Sequence, residues 1–351
     1  MSTTNSISAK RKRQDSSPEG ESEEEKVVFE KIVPNGDVVF VFEQGTKKIQ
    51  VHSFLMKHAS PVFSAMLGVN FKEGDVLQEA ALNNRPAEIP LPDDDFEAFK
   101  LVCIVIHHQG QTKQHAPSVQ GLIGILEVAD KYHLLDAISM SFELWVRNHS
   151  RTKDCLRSDL WLLMLISYRI NVQDLFQAFS KKVALYCRKA YIELAIDSET
   201  TISHLIPNSV NYKLAASLEE LRKDMLLRII QIINTDMYAE FRDYEEDVDV
   251  YHNILPYYRH LEHVLMESPN GTRLGLCQKV GKNNYSVNDL LLDISKISVD
   301  EEFGDSPLDL YELKDRLDSR LTKLKRDFKG YCILCGEENN VEFLCSGVHK
   351  D

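Results

Sequence analysis

The chain reads as an α+β fold followed by an all-α region, with a short Cys/His segment at its C-terminal end. Three observations predict this. Two β-branched and aromatic runs around residues 38–51 are framed by turn signals, as in a pair of strands. From residue 60 onward, apolar residues recur at spacings of three and four, the period of a helix. A third short run at 88–91 interrupts that pattern and is followed by more helix, so a small sheet with helices packed on it is expected.

The 351 residues suffice for two or three packed units, and a hydrophobic content of 43% is ordinary for a globular protein. A formal net charge of −13 argues against a broad electrostatic footprint on nucleic acid. The longest apolar runs, 101–106 and 161–166, are far short of the roughly 20 residues that span a bilayer. The start of the chain offers no apolar stretch that could act as a secretory signal. The expectation is a soluble intracellular protein with no membrane contact, whose seven cysteines stay reduced.

Residues 1–26 are polar and lack apolar periodicity, so they are expected to form a disordered tail. Within them, Lys10-Arg11-Lys12-Arg13 has the form of an exposed nuclear import signal, which places the protein in the nucleus with the cytoplasm as a second compartment. Glu21, Glu23, Glu24 and Glu25 follow.

Residues 34–148 form the expected α+β domain. The run 38–42 is introduced by Pro34-Asn35-Gly36 and closed by Gln44-Gly45, and 48–51 returns as its hairpin partner. Ser60-Pro61 combines a capping hydroxyl with a proline at the first helical position, where its missing donor has no partner to lose. Val62, Phe63, Met66 and Leu67 give that helix a buried side. The polar stretch 70–86 reads as a loop before the third strand at 88–91. Asp93-Asp94-Asp95 supplies caps, with Glu97 in a capping-box relation to Asp94, for a helix burying Phe96, Phe99, Val102, Cys103 and Ile106. After a loop at 110–117, Ser118 opens a helix with Leu122, Ile125, Leu126 and Ala129 inside, and a last helix at 134–148 buries Ile138, Phe142 and Trp145.

These residues resemble a known family. Asp37-Val38-Val39-Phe40-Val41-Phe42, Val51-His52-Ser53-Phe54-Leu55 and Ala59-Ser60-Pro61-Val62-Phe63-Ser64-Ala65-Met66-Leu67 are similar to the opening of BTB/POZ domains. The likeness continues through Phe71-Lys72-Glu73-Gly74, Ile89-Pro90-Leu91-Pro92-Asp93-Asp94 and Ala129-Asp130-Lys131-Tyr132. His107-His108 and Trp145 bring it nearest to the nuclear BTB proteins common in fungi. The resemblance implies a protein–protein interaction module, often dimeric and without a catalytic site. It also implies that Asp37 and His52 sit together and tie a strand to the first helix. BTB domains assemble through the first helix and the N-terminal strand, and Val27-Val28-Phe29 is placed to supply such an extra strand. Others bind a cullin-type ubiquitin ligase scaffold through the region around the third strand and the following helix.

Residues 152–265 read as consecutive helices. Leu160, Leu163, Met164, Ser167 and Tyr168 make one amphipathic face, Val172, Leu175, Phe176 and Phe179 a second, and Leu218, Leu221, Met225, Leu226 and Ile229 a third. The acidic run 243–249 is expected to be solvated, and 268–271 to turn. Ser306-Pro307 repeats the helix-start signal, and Leu310, Leu313, Leu317, Leu321, Leu324 and Phe328 define an amphipathic helix over 306–329, ended by Gly330. In 331–351, Cys332, Cys335, Cys345 and His349 have the residue types and spacing of one closed structural zinc site.

The leading expectation is an adaptor or scaffold acting through the BTB domain, with protein partners and a possible homodimer. Two alternatives are a substrate adaptor for a cullin ligase and a transcriptional regulator using the C-terminal zinc unit. No glycine-rich phosphate loop, nucleophile elbow or paired acid–base constellation points to an enzyme.

Overall fold

The computed structural model describes residues 27–109, 117–151, 157–243, 248–266, 280, 285–297 and 310–333. The import cluster at 10–13, the turn at 268–271 and Ser306-Pro307 lie outside them, as do most of the loop at 110–117 and of the acidic run.

A four-stranded sheet is built from β1 (Val28–Lys31), β2 (Val38–Phe42), β3 (Lys47–Val51) and β4 (Ala87–Pro90), in the order β1-β3-β2-β4. The β2–β3 hairpin is antiparallel, with Phe40 opposite Ile49, while β1 and β4 add in parallel at the two edges. Strand β2 is buried almost throughout, which is why its apolar run does not alternate. Helices α1 (Ser53–Ala59), α2 (Pro61–Met66), α3 (Lys72–Leu82), α4 (Phe96–Ile106), α5 (Val119–Lys131) and α6 (Leu135–Arg151) complete the unit. Ser60 caps α2 by accepting from Phe63 N at 3.0 Å, and Ser118 caps α5 by accepting from Gly121 N at 3.1 Å.

Three local readings need correction. Residues 70–86 are mostly helix, not loop: α3 presses only Gly74 and Ala80 fully into the structure, so its sequence shows no large apolar stripe. A Cβ on Gly74 would fall 1.8 Å from Gly68 O, so the helix needs glycine there. Helix α4 is capped by Asp95, which accepts from Ala98 N at 2.6 Å, rather than by Asp94 with Glu97. Helix α1 precedes Ser60 and carries one large buried side chain, Met56, too few to announce a helical period.

Seven α-helices among the described residues follow in two groups. Helices α7 (Arg157–Arg169), α8 (Gln173–Tyr186), α9 (Tyr191–Ile202) and α10 (Asn208–Asp243) come first; α11 (Val248–Met266), α12 (Val287–Ser295) and α13 (Leu310–Asp327) come after. Helix α7 is not amphipathic as expected, because every residue from Leu160 to Ile166 is buried. The other two expected stripes face inward, as do Leu313, Leu317 and Leu321 of α13. Gly330 lies beyond the end of α13 and does not cap it. It packs against α8, where a Cβ would sit 1.9 Å from Gln177 O.

The sheet domain and the helices share one hydrophobic cluster. Arg147 of α6 makes a bidentate pair with Asp174 of α8 at 2.5 and 3.0 Å, and Arg169 of α7 pairs with Asp130 of α5. Phe63 is fully buried against Phe40, Phe99 and Tyr132. Phe63→Ala is expected to cost about 3–5 kcal/mol, the usual range for a core phenylalanine. Denaturant titration of the full chain checks this, and a near-neutral result would show that the ring contributes little to the core.

Candidate interaction surface

The α+β unit leaves one edge of its sheet open. Strand β1 is held on one side only: Val28 N donates to Thr46 O at 2.8 Å, and Ile32 N to Gln50 O at 3.1 Å. Val28 and Phe29, on its two faces, are exposed by 40% and 46%, and Val27 just before it by 56%. Lys100 of α4 reaches Glu30 at 3.2 Å and anchors the strand from the domain side. Helix α1 presents Phe54, 75% exposed and stacked on His58 one turn later. The opposite edge, β4, is flanked by α3, around which Val69, Phe71 and Leu82 stand exposed. Open strand edges and exposed apolar side chains are features that protein interfaces use.

Behind these faces is a polar latch. Asp94 accepts from Lys131 Nζ at 2.8 Å and from Tyr132 OH at 2.7 Å. Ser60 Oγ donates to Tyr132 O at 2.5 Å while accepting from Phe63 N. The ring of Tyr132 stacks on Phe63 with centroids 4.5 Å apart. Burial, with Asp94 adding to it, pushes the Tyr132 hydroxyl well above its ordinary pKa, so it stays a donor. The start of α2, the turn before α4 and the end of α5 therefore meet at one tyrosine.

A family model for the BTB/POZ domain matches residues 31–148. The segment just described is therefore assigned: this chain carries a BTB/POZ domain. The match begins three residues before the boundary expected from sequence, at the last residue of β1, and ends at the same residue. No curated protein matches the chain. BTB domains are protein-interaction modules.

Asp37 lies 4.0 Å from His52 Nδ1, but its hydrogen bonds go elsewhere. It accepts from Ser53 N at 2.7 Å and from Ser53 Oγ at 2.5 Å, so it fixes the first residue of α1. The sequence reading missed Ser53, and its place beside a helix start was the available signal. It named His107 only as part of a recurring pair, without a structural role. That ring is buried; its Nδ1 donates to Cys103 O at 2.8 Å, and its Nε2 accepts from His52 N at 3.1 Å. A carbonyl can only accept and an amide can only donate, so the neutral tautomer is fixed. Cys103 itself is buried, and burial pushes its thiol pKa up, away from reactivity.

Of the four residues with zinc-site spacing, Cys332 is described and buried, while Cys335, Cys345 and His349 lie outside the described residues. Its neighbours are pinned to α8: Tyr331 N donates to Ser180 Oγ and Ile333 N to Gln173 Oε1, both at 2.7 Å.

Burial lowers the pKa of His107 below the ordinary 6.5. The unfolded chain then binds a proton at His107 more readily than the folded one. Its contribution to stability is complete above about pH 6.5 and falls as pH drops toward the lower folded value. His107→Gln is expected to reduce the loss of thermal stability between about pH 7 and pH 5 relative to wild type. Parallel melting curves check this, and identical pH slopes would remove His107 as a cause.

Proposed function

We propose that the chain is a nuclear, non-catalytic adaptor that self-associates through β1 and α1 of its BTB domain. The observation that carries this is the exposure of Val28, Phe29 and Phe54 on those two elements. Short-range apolar contact is the attraction that suits a protein of net charge −13, since two such copies repel over distances up to the Debye length, about 8 Å at physiological salt. The helical region would hold a second partner, and Ile192 and Ile196, one turn apart and exposed on α9, offer an apolar face for it.

A second reading is a substrate adaptor for a cullin-type ligase. Val69, Phe71 and Leu82 around α3 favour it, because they lie beside the strand through which BTB domains engage that scaffold. A regular α3 also removes the long irregular insertion that the sequence suggested there.

One experiment separates the two. The mass of the full chain in solution is measured by light scattering, and its binding to a cullin N-terminal domain by calorimetry. The adaptor reading expects a dimer that Phe29→Glu with Phe54→Glu converts to monomer without loss of helicity. A monomeric wild type would overturn it. Micromolar or tighter cullin binding, lost on Phe71→Glu, would establish the ligase reading instead.

Nuclear entry rests on Lys10-Arg11-Lys12-Arg13. Replacing all four with alanine is expected to move a fluorescently tagged chain to the cytoplasm, and unchanged location would count against the import signal. Cys332, Cys335, Cys345 and His349 would hold one structural zinc, supported by the Cys-x-x-Cys spacing and by the firm seating of Cys332. The purified chain is then expected to hold about one zinc per molecule by elemental analysis, falling on Cys335→Ala. Metal-free protein after gentle purification would argue the reverse.

A further inference from the structure

The C-terminal end of α13 and the facing side of α8 gather cations with few anions to answer them. A cleft of about 480 Å³ is lined there by Lys181 of α8, by Arg326, Asp327, Phe328 and Lys329, and by Asp174. Asp174 is already held in a bidentate pair by Arg147. Arg326 bonds Asp327 at 2.9 Å, and with Lys323 and Lys181 it holds that carboxyl below the usual carboxylate range. Burial lowers the pKa of Lys181, helped by nearby Lys325 and opposed by Asp327. Lys181, Lys323, Lys325, Arg326 and Lys329 thus gather here against two carboxylates, Asp327 and the already paired Asp174. The hydrogen bonds of two of them go to neutral acceptors, Lys181 to Arg326 O at 3.0 Å and Lys325 to Asn288 Oδ1 at 2.6 Å.

Cations in the last turn of a helix complement its dipole, which accounts for Lys325 and Arg326. It does not account for Lys329, which lies past the helix end, while Lys181, from another helix, donates to the last-turn carbonyl of Arg326. In a chain of net charge −13 this concentration of positive charge calls for an anionic partner.

We infer that this cleft binds an acidic peptide segment of a partner protein. Lysine and arginine donors suit charge-assisted hydrogen bonds to glutamate or aspartate carboxylates, and Phe328 and Ala178 in the lining suit an intervening apolar side chain. A long nucleic acid fits less well, because the rest of the protein would repel it. The chain's own residues 19–25, with Glu19, Glu21, Glu23, Glu24 and Glu25, have the same chemistry and would compete for the cleft.

The test is fluorescence anisotropy with a labelled octaglutamate peptide and two forms of the full chain: wild type, and a variant with those five glutamates changed to glutamine. Saturable binding at low salt is expected in the variant, and equal or weaker binding in wild type, dropping about tenfold as salt rises to about 0.2 M. Arg326→Gln with Lys329→Gln, both exposed positions, should weaken it at least tenfold with helicity retained and only a small change in melting temperature. Lys72→Glu, on α3 and distant in sequence, should leave it unaltered. Absence of binding in both forms overturns the inference, as does an equal loss from Lys72→Glu. Tighter binding of a 20-base-pair duplex, with the same sensitivity to Arg326→Gln and Lys329→Gln, would replace it with a nucleic-acid surface.

Discussion

Burying Tyr132 is the constraint on which the BTB domain rests. Its ring packs on Phe63 and Phe99, which in turn contact Phe40, and such edge and stacked contacts add about 0.5–1.5 kcal/mol per pair beyond the area buried. A tyrosine can occupy such a place only if its polar ends are satisfied, since an unpaired buried hydroxyl or carbonyl costs about 1–3 kcal/mol. Asp94 takes the hydroxyl and Ser60 the carbonyl. Because Ser60 also caps α2, and the turn carrying Asp94 leads into α4, satisfying one side chain sets the relative positions of three helices. Several motifs that carry the family resemblance, Ser60-Pro61, Asp93-Asp94 and Asp130-Lys131-Tyr132, are the parts of this one arrangement.

The same domain is committed on its other side. Helices α5 and α6 pack against α7 and α8 in a continuous core, and Arg147–Asp174 and Arg169–Asp130 cross the junction. The helical region is therefore joined to the BTB domain by burial as well as by chain connection. What remains uncovered follows from that choice: the β1 edge, the outer side of α1 and the flank of α3.

Much of this was legible from sequence wherever large apolar residues mark the buried side. The β2–β3 hairpin, α4, α5, α6 and the inward leucines of α13 all announce themselves in that way. Helix α3 does not, because it docks through Gly74 and Ala80, and small residues leave no hydrophobic stripe. Helix α7 misled in the opposite direction: a helix buried all round has no polar face to fix its period. Asp94 and Asp95 were indistinguishable as caps until the position of Tyr132 claimed one of them. Gly330 has a terminator's identity, but its role is set by Gln177, a residue more than a hundred positions earlier.

The candidate surfaces divide along the same line. Val27-Val28-Phe29 could be read as an added strand because strand chemistry is local, and β1 is indeed paired at 28–31. Phe54 could not be read as exposed, since a phenylalanine in a helix is ordinarily core and only the packed neighbours of α1 reveal which way it faces. The basic cleft is the extreme case. Lys181 and Lys329 are far apart in sequence and share a wall only because Gly330 lets the chain press against α8. A glycine needed for close backbone approach thus creates the charge density that the sequence, with its net acidic balance, gave no reason to expect.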